Sequence, residues 1–228
     1  MSERIALVGL PGSGKSRFQK AFVEQVASAS DEVDMFVVSD GRQKGKGRVW
    51  CLIDLRSPLK GGQAETHLKA LLSISSAIVF TFVESSDLAT QSDWQQWLKA
   101  QGVTLPIFRW FHQAFPKDWQ WHQHGEAVDL TEFDFPLLRL EKLTFGVRRV
   151  HLEHLMFGLD ALKQNQGMNL WRVKAQVETV EYANPVALEG TFNRWDTFAA
   201  EQATHRIEIL GDQLDEDWLR QVVDASQL

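Results

Sequence analysis

Apolar residues along the first hundred or so positions fall into two rhythms. Short, nearly unbroken apolar runs occupy residues 4–8, 34–39, 48–54, 77–83 and 105–108. Between them, at 16–29, 62–73 and 91–100, apolar positions recur every three or four residues. Compact apolar runs suit strands buried on both faces, and the intervening spacing suits amphipathic helices. Their alternation predicts an α/β unit: a mostly parallel sheet flanked by helices on both faces.

From Val150 onward the pattern changes. HLEHLMFGLDALKQN sets Leu152, Leu155, Met156, Leu159 and Leu162 on one helical face. LWRVKAQVETV and VALEGTF read as strands around a turn at 183–185. A polar connector follows, then strand-like RIEILG and a closing helix in DEDWLRQVVDA. Residues 119–136 show no clean period and read as a connection or insertion. The expected organisation is two domains, a nucleotide-binding α/β domain at 1–140 and a small α+β domain at 141–228.

Composition narrows the classes without choosing among them. The chain has 228 residues, 44% hydrophobic and 24% charged, enough to bury a sizeable core. A net charge of -6 argues against a dedicated nucleic-acid or anionic-membrane surface, which would need concentrated Lys and Arg. The single cysteine, Cys51, excludes an internal disulfide or a cysteine metal cluster within one chain. No apolar run approaches the roughly 20 residues that span a bilayer, and MSERIALV lacks the apolar core of a signal peptide. The expected location is the cytoplasm. Nine tryptophans against one tyrosine leave two readings open, core filling or a partner surface.

The strongest chemical signal directly follows the first apolar run. GLPGSGKS, residues 9–16, matches the phosphate-binding loop of P-loop NTPases: Gly9, four residues, then Gly14, Lys15 and Ser16. Gly9, Gly12 and Gly14 let the backbone turn so that N–H groups face an oxyanion, with Pro11 and Ser13 completing the cradle. Lys15 would reach the β and γ phosphates, and the Ser16 hydroxyl would ligate Mg²⁺. The helix that follows would aim its positive end at the phosphates, and Arg17 would approach an α-phosphate. Asp54, ending the buried run VWCLID, is the expected acid holding Mg²⁺ through its water shell; Asp40, after MFVVS, is the competing carboxylate. GRQKGKGR, between those strands, is a solvated loop or else a switch-like segment bringing Lys44 or Lys46 to the phosphates.

The second half carries a family resemblance. Arg172 and Lys174, Glu189 and Gly190, then Arg206, Ile209, Gly211, Leu214 and Asp215 follow the order of motifs in the C-terminal domain of CobW-like P-loop GTPases. SSAIVFTFVESSDL and the P-loop are similar to that family's GTPase domain. The resemblance implies a nucleotide-driven metal chaperone or a regulator in metal or cobalamin metabolism, with the C-terminal domain engaging a protein client.

The chain departs from that family at three places. GRQKGKG stands where the family has its Cys-x-Cys-Cys metal motif. Arg109, Trp110, Phe111 and His112 stand where Asn-Lys-x-Asp would read guanine, leaving GTP and ATP both open. Trp110 is then a base-stacking candidate or an aromatic packed after a strand. Where the family has Glu followed three residues later by Gly, this chain has Asp54, Ser57 and Pro58, and Gly61 or Gly62 would have to serve instead. No residue at that position would orient an attacking water, so slow hydrolysis is expected, or none in a scaffold that only holds nucleotide. A small-molecule kinase would need an acceptor pocket that the pattern does not show.

Other constellations are weaker. His122, His124 and Glu126 lack a further ligand for Zn²⁺, so no stoichiometric zinc is expected. His151 and His154 flank an apolar stripe, and Cys51 sits within a strand as a core residue.

Overall fold

A computed structural model describes residues 3–26, 33–39, 42–57, 61–117, 119–120 and 123–228. Asp40, Pro58 and His122 lie outside the described residues. The chain divides into two compact units, Met1–Leu137 and Leu138–Leu228.

In the first unit the apolar runs become β1 (Glu3–Val8), β2 (Val33–Val37), β3 (Lys46–Asp54), β4 (Ala77–Thr81) and β5 (Ile107–Arg109). They pair in parallel in the order β2-β1-β3-β4-β5. The helices are α1 (Lys15–Gln25), α2 (Gly62–Ser73) and α3 (Leu88–Ala100), the last capped by Asp87, whose side chain accepts the Thr90 N–H. Alternate residues of β1 and of β3 face opposite cores. Ile5, Leu7, Trp50 and Leu52 pack with Phe18 and Phe22 of α1. Ala6, Val8, Cys51 and Ile53 pack with Leu68 and Leu71 of α2 and Leu98 of α3. Burial on both faces explains why these strands read as continuous apolar runs.

Residues 119–136 are not purely connection. They contain β6 (Val128–Asp129), which pairs antiparallel with the start of β3 at Lys46 and Gly47. That pairing corrects the switch-like reading of Lys46. The residue lies level with the beginning of β1, where Arg4 pairs with Gly47, at the opposite end of the sheet from the loop that follows Val8. Five strand steps separate the two ends of β1, about 16 Å. The Lys44 carbonyl is held at the same remote end by Arg4.

The second unit contains β7 (Glu141–Gly146), β8 (Arg149–Val150), α4 (Leu152–Asn165), β9 (Asn169–Thr179), β10 (Val186–Thr191), β11 (Trp195–Ala199), β12 (Arg206–Asp212) and α5 (Glu216–Ala225). Its antiparallel sheet runs β11-β10-β9-β12-β7, with β8 pairing parallel to β9. Leu155, Leu159 and Leu162 of α4 and Leu219 and Val223 of α5 share one core with Val173, Ala175, Val177, Ile207 and Ile209. The polar connector of the sequence reading contains β11. This is an edge strand with no fully buried position, so it shows no apolar alternation. Among the described tryptophans, Trp50, Trp94, Trp110 and Trp171 are core residues, whereas Trp218 is substantially exposed.

Candidate functional site

The strand order places β1 between β2 and β3, so successive connections leave the β1 end in opposite directions. At such a reversal the carboxyl ends of two adjacent strands open a crevice, the usual ligand position of open α/β sheets. Here that crevice receives the loop after Val8 and the carboxylate of Asp54.

The loop's glycines are required by its conformation. Gly9 has φ +146°, and a Cβ there would lie 2.5 Å from the Leu52 carbonyl and 2.7 Å from Ser13 Oγ. Gly12 and Gly14 have φ of 89° and 85°, the left-handed region that L side chains resist. The Ser13 N–H donates to the Leu10 carbonyl at 3.1 Å, closing the turn. Thr81 Oγ1 lies 3.0 Å from the Ser13 carbonyl and 3.2 Å from the Ile53 carbonyl, tying the loop to the ends of β3 and β4.

Lys15 turns back into this loop. Its Nζ donates to the carbonyls of Gly9 at 2.7 Å and Leu10 at 2.9 Å, and lies 3.4 Å from Ser13 Oγ. Gly14 occupies the N-cap of α1 without a side-chain cap, and the first turn carries no acidic residue. The positive end of the helix is therefore not neutralised from within its own sequence. Pro11 is half-buried, whereas Ser16 and Arg17 are exposed on the first turn.

The Asp54 carboxylate has a partner that the sequence reading missed. Arg56 Nε and Nη2 donate to Oδ1 at 3.0 Å and Oδ2 at 2.9 Å, and the Arg56 backbone N–H donates to Oδ1 at 2.9 Å. Asp54 is only 8% exposed. The guanidinium is stacked on Phe82, with Cζ 3.5 Å from the ring centroid, and Arg17 Cζ lies 5.2 Å from the same ring. In sequence Arg56 reads as an ordinary charge after a strand; its pairing to a buried acid is visible only in space.

His67 was also missed. It lies on α2, half-buried, and its pKa is pushed below the ordinary histidine value by burial and then by the Lys15 ammonium. The same ammonium acts on Cys51, whose thiol is pushed up to about 12 chiefly by burial. Trp110 is 2% exposed, packed edge-on against Phe18 at 5.0 Å, which removes its ring from any surface that a base would stack on.

His124 belongs to an aromatic cluster. Its Nε2 accepts the Trp119 indole N–H at 2.9 Å, and its ring lies against Trp50 and Phe108. Burial lowers its pKa, consistent with the neutral acceptor form. Among the described residues no group of three or more His, Cys, Asp or Glu is placed to hold a metal ion. Among the described residues no helix is long and apolar enough to cross a membrane.

No family model matches the chain, and no curated protein matches it. Solved structures with a distant likeness include the following two. One is a zinc-bound triple mutant of the YjiA GTPase, 10% identical, covering 94% of this chain and 68% of that one, with a TM-score of 0.34. The other is zinc-bound YjiA GTPase from E. coli, 11% identical with the same coverage and a TM-score of 0.34.

The residues present fit a phosphate chain: a glycine cradle closed to side chains, an ammonium folded into it and an uncapped helix start. For Mg²⁺ the fit is conditional. Ser16 is accessible, but both Asp54 oxygens are engaged by Arg56, so a metal-bound water must share the carboxylate with the guanidinium or displace it.

Proposed function

We propose that this chain binds a purine nucleoside triphosphate, GTP or ATP, with Mg²⁺ at residues 9–16 and hydrolyses it slowly. The observation that carries this reading is the glycine loop at the β1/β3 reversal, with Lys15 Nζ folded onto the Gly9 and Leu10 carbonyls. Gly9, Pro11, Gly12, Ser13 and Gly14 form the cradle, and Lys15 places a cation against the β and γ oxygens. Arg17 approaches the α-phosphate. Ser16 and Asp54 are the residues to hold the metal, which when bound neutralises charge spreading over the transferred phosphoryl group. Lys15 adds to that stabilisation.

The CobW-like order of motifs supports assigning the second unit to a protein client in metal or cofactor homeostasis. The engagement of Asp54 by Arg56 favours one further reading, a regulatory scaffold that holds nucleotide without turning it over.

Titration of GTP and ATP in the presence of Mg²⁺ against wild type and Lys15→Ala, followed by phosphate-release assays, tests the proposal. Wild type is expected to bind, and Lys15→Ala to bind at least about tenfold more weakly, the loss of a charge-assisted contact. Absence of binding by wild type would overturn it. Tight binding without phosphate release would select the scaffold.

A further inference from the structure

Asp54, Arg56 and Phe82 form a device that a phosphate-binding loop alone does not require. The guanidinium grips both oxygens of the acid, through Nε to Oδ1 at 3.0 Å and Nη2 to Oδ2 at 2.9 Å. Its face lies on the Phe82 ring, 3.5 Å from the centroid. That ring reaches the P-loop itself, since a Cβ built on Gly14 would stand 3.3 Å from Phe82 Cε2. Phe82 is therefore a platform joining the acid's counter-ion to the phosphate cradle.

The platform is held under strain. Phe82 has φ 55° and ψ 34°, a left-handed conformation that disfavours a bulky side chain. The residues around it are tied down: the Leu55 N–H donates to the Thr81 carbonyl at 3.2 Å, the Trp110 N–H to the Phe80 carbonyl at 2.9 Å, and the Ser85 N–H to the Phe82 carbonyl at 3.0 Å. The fold over-determines a conformation that carries the ring to Gly14 and under Arg56.

Asp54 is also anchored independently of the guanidinium. The Arg56 backbone N–H donates to Oδ1 at 2.9 Å, so the carboxylate keeps a partner when the side chain leaves. A guanidinium binds phosphate in the same forked manner as carboxylate, and stacking on a ring face does not fix its in-plane direction. Turning on Phe82 would re-aim the fork while preserving the stack.

We propose that Arg56 is a γ-phosphate-responsive latch: it clasps Asp54 in the absence of a triphosphate and transfers to the terminal phosphate when one binds, releasing Asp54 to the metal's water shell. Each charge exchanges one partner for another, so neither is left unpaired. A diphosphate lacks the group that competes for the guanidinium, and the latch stays closed. The site thereby distinguishes nucleoside triphosphate from diphosphate through Arg56. This rests on the nucleotide-binding reading above.

The test uses the full chain with GDP, ADP and non-hydrolysable GTP and ATP analogues, with Mg²⁺ and with chelator. For wild type the triphosphate analogue is expected to bind at least about tenfold more tightly than the diphosphate with the same base, the scale of a charge-assisted contact. Arg56→Gln is expected to erase most of that ratio, and Arg56→Lys, which keeps charge without the fork, to retain part of it. In wild type the Arg56 Nε–H nuclear magnetic resonance signal is expected to move on adding the triphosphate analogue and to stay in place with the diphosphate; this measurement decides the matter if the variants do not fold. Nucleotide binding with an unchanged ratio in Arg56→Gln, or an Nε–H signal indifferent to the γ-phosphate, overturns the latch and leaves the nucleotide reading standing. Absence of nucleotide binding by wild type removes that reading and the latch with it.

Discussion

Phe82 lies so close to Gly14 that a Cβ on the glycine would stand 3.3 Å from the ring's Cε2. A residue entering from the end of β4 thus limits what the phosphate loop can carry. Gly14 also has φ +85°, so Gly14→Ala combines left-handed backbone strain with a tight ring contact. The substitution is expected to lower stability by about 1–2 kcal/mol and to weaken triphosphate binding. Urea unfolding and nucleotide titration check both; a variant as stable as wild type would show that the ring gives way.

Trp110 directly follows β5, packs against Phe18 and is 2% exposed. Trp110→Ala is expected to cost about 3 kcal/mol of stability, the usual scale for a large buried aromatic. The ratio of guanine to adenine nucleotide affinity is expected not to change. Denaturant melts and competition binding separate the two effects, and a stable variant with altered base preference would return Trp110 to the base site.

Cys51 is 0% exposed between the helical layers, and burial pushes its thiol up to about 12 against the opposing pull of the Lys15 ammonium. A thiolate is the reactive form. The native protein is expected to resist a thiol-specific disulfide reagent at pH 8, and one thiol per chain to react after unfolding in urea. Rapid native labelling would show that β3 opens readily.

His67 and His124 both have pKa values lowered by burial, with Lys15 adding to the effect at His67. The unfolded chain therefore takes up protons at higher pH than the folded one. Stability from these groups is complete above about pH 6.5, the ordinary histidine value, and is lost as pH falls from there toward their lowered folded values. Unfolding midpoints are expected to drop between pH 7.5 and 5.5. His124→Gln, which can still accept the Trp119 N–H, is expected to reduce that drop. An identical pH profile in the variant would exclude His124 as a source.

Much of the first unit was legible because β1, β3 and β4 are buried on both faces and its helices on one. The spacing expected at 62–73 corresponds to α2 at Gly62–Ser73, and the run ending in Asp54 to β3. The second unit was harder. β7 has one buried position and β11 none, so neither produces a periodic signal, although both complete the antiparallel sheet. Sequence alone leaves open whether the basic loop before β3 lies near the phosphates, because sequence order says nothing about which end of the sheet a connection crosses. The pairing of Gly47 with Arg4 decides it.

The residues 9–16 favour by themselves a glycine-lined turn leading into a helix, since glycine adopts positive φ with little strain and the turn joins an apolar run to a helical pattern. The apolar rhythm likewise determines a parallel sheet flanked by helices. Tertiary structure alone decides who partners the acid. Arg56 lies two residues from Asp54, yet its guanidinium lies over Phe82, which arrives from the end of β4 in a left-handed conformation and approaches Gly14. Such a contact arises from strand order and packing, which local periodicity does not encode.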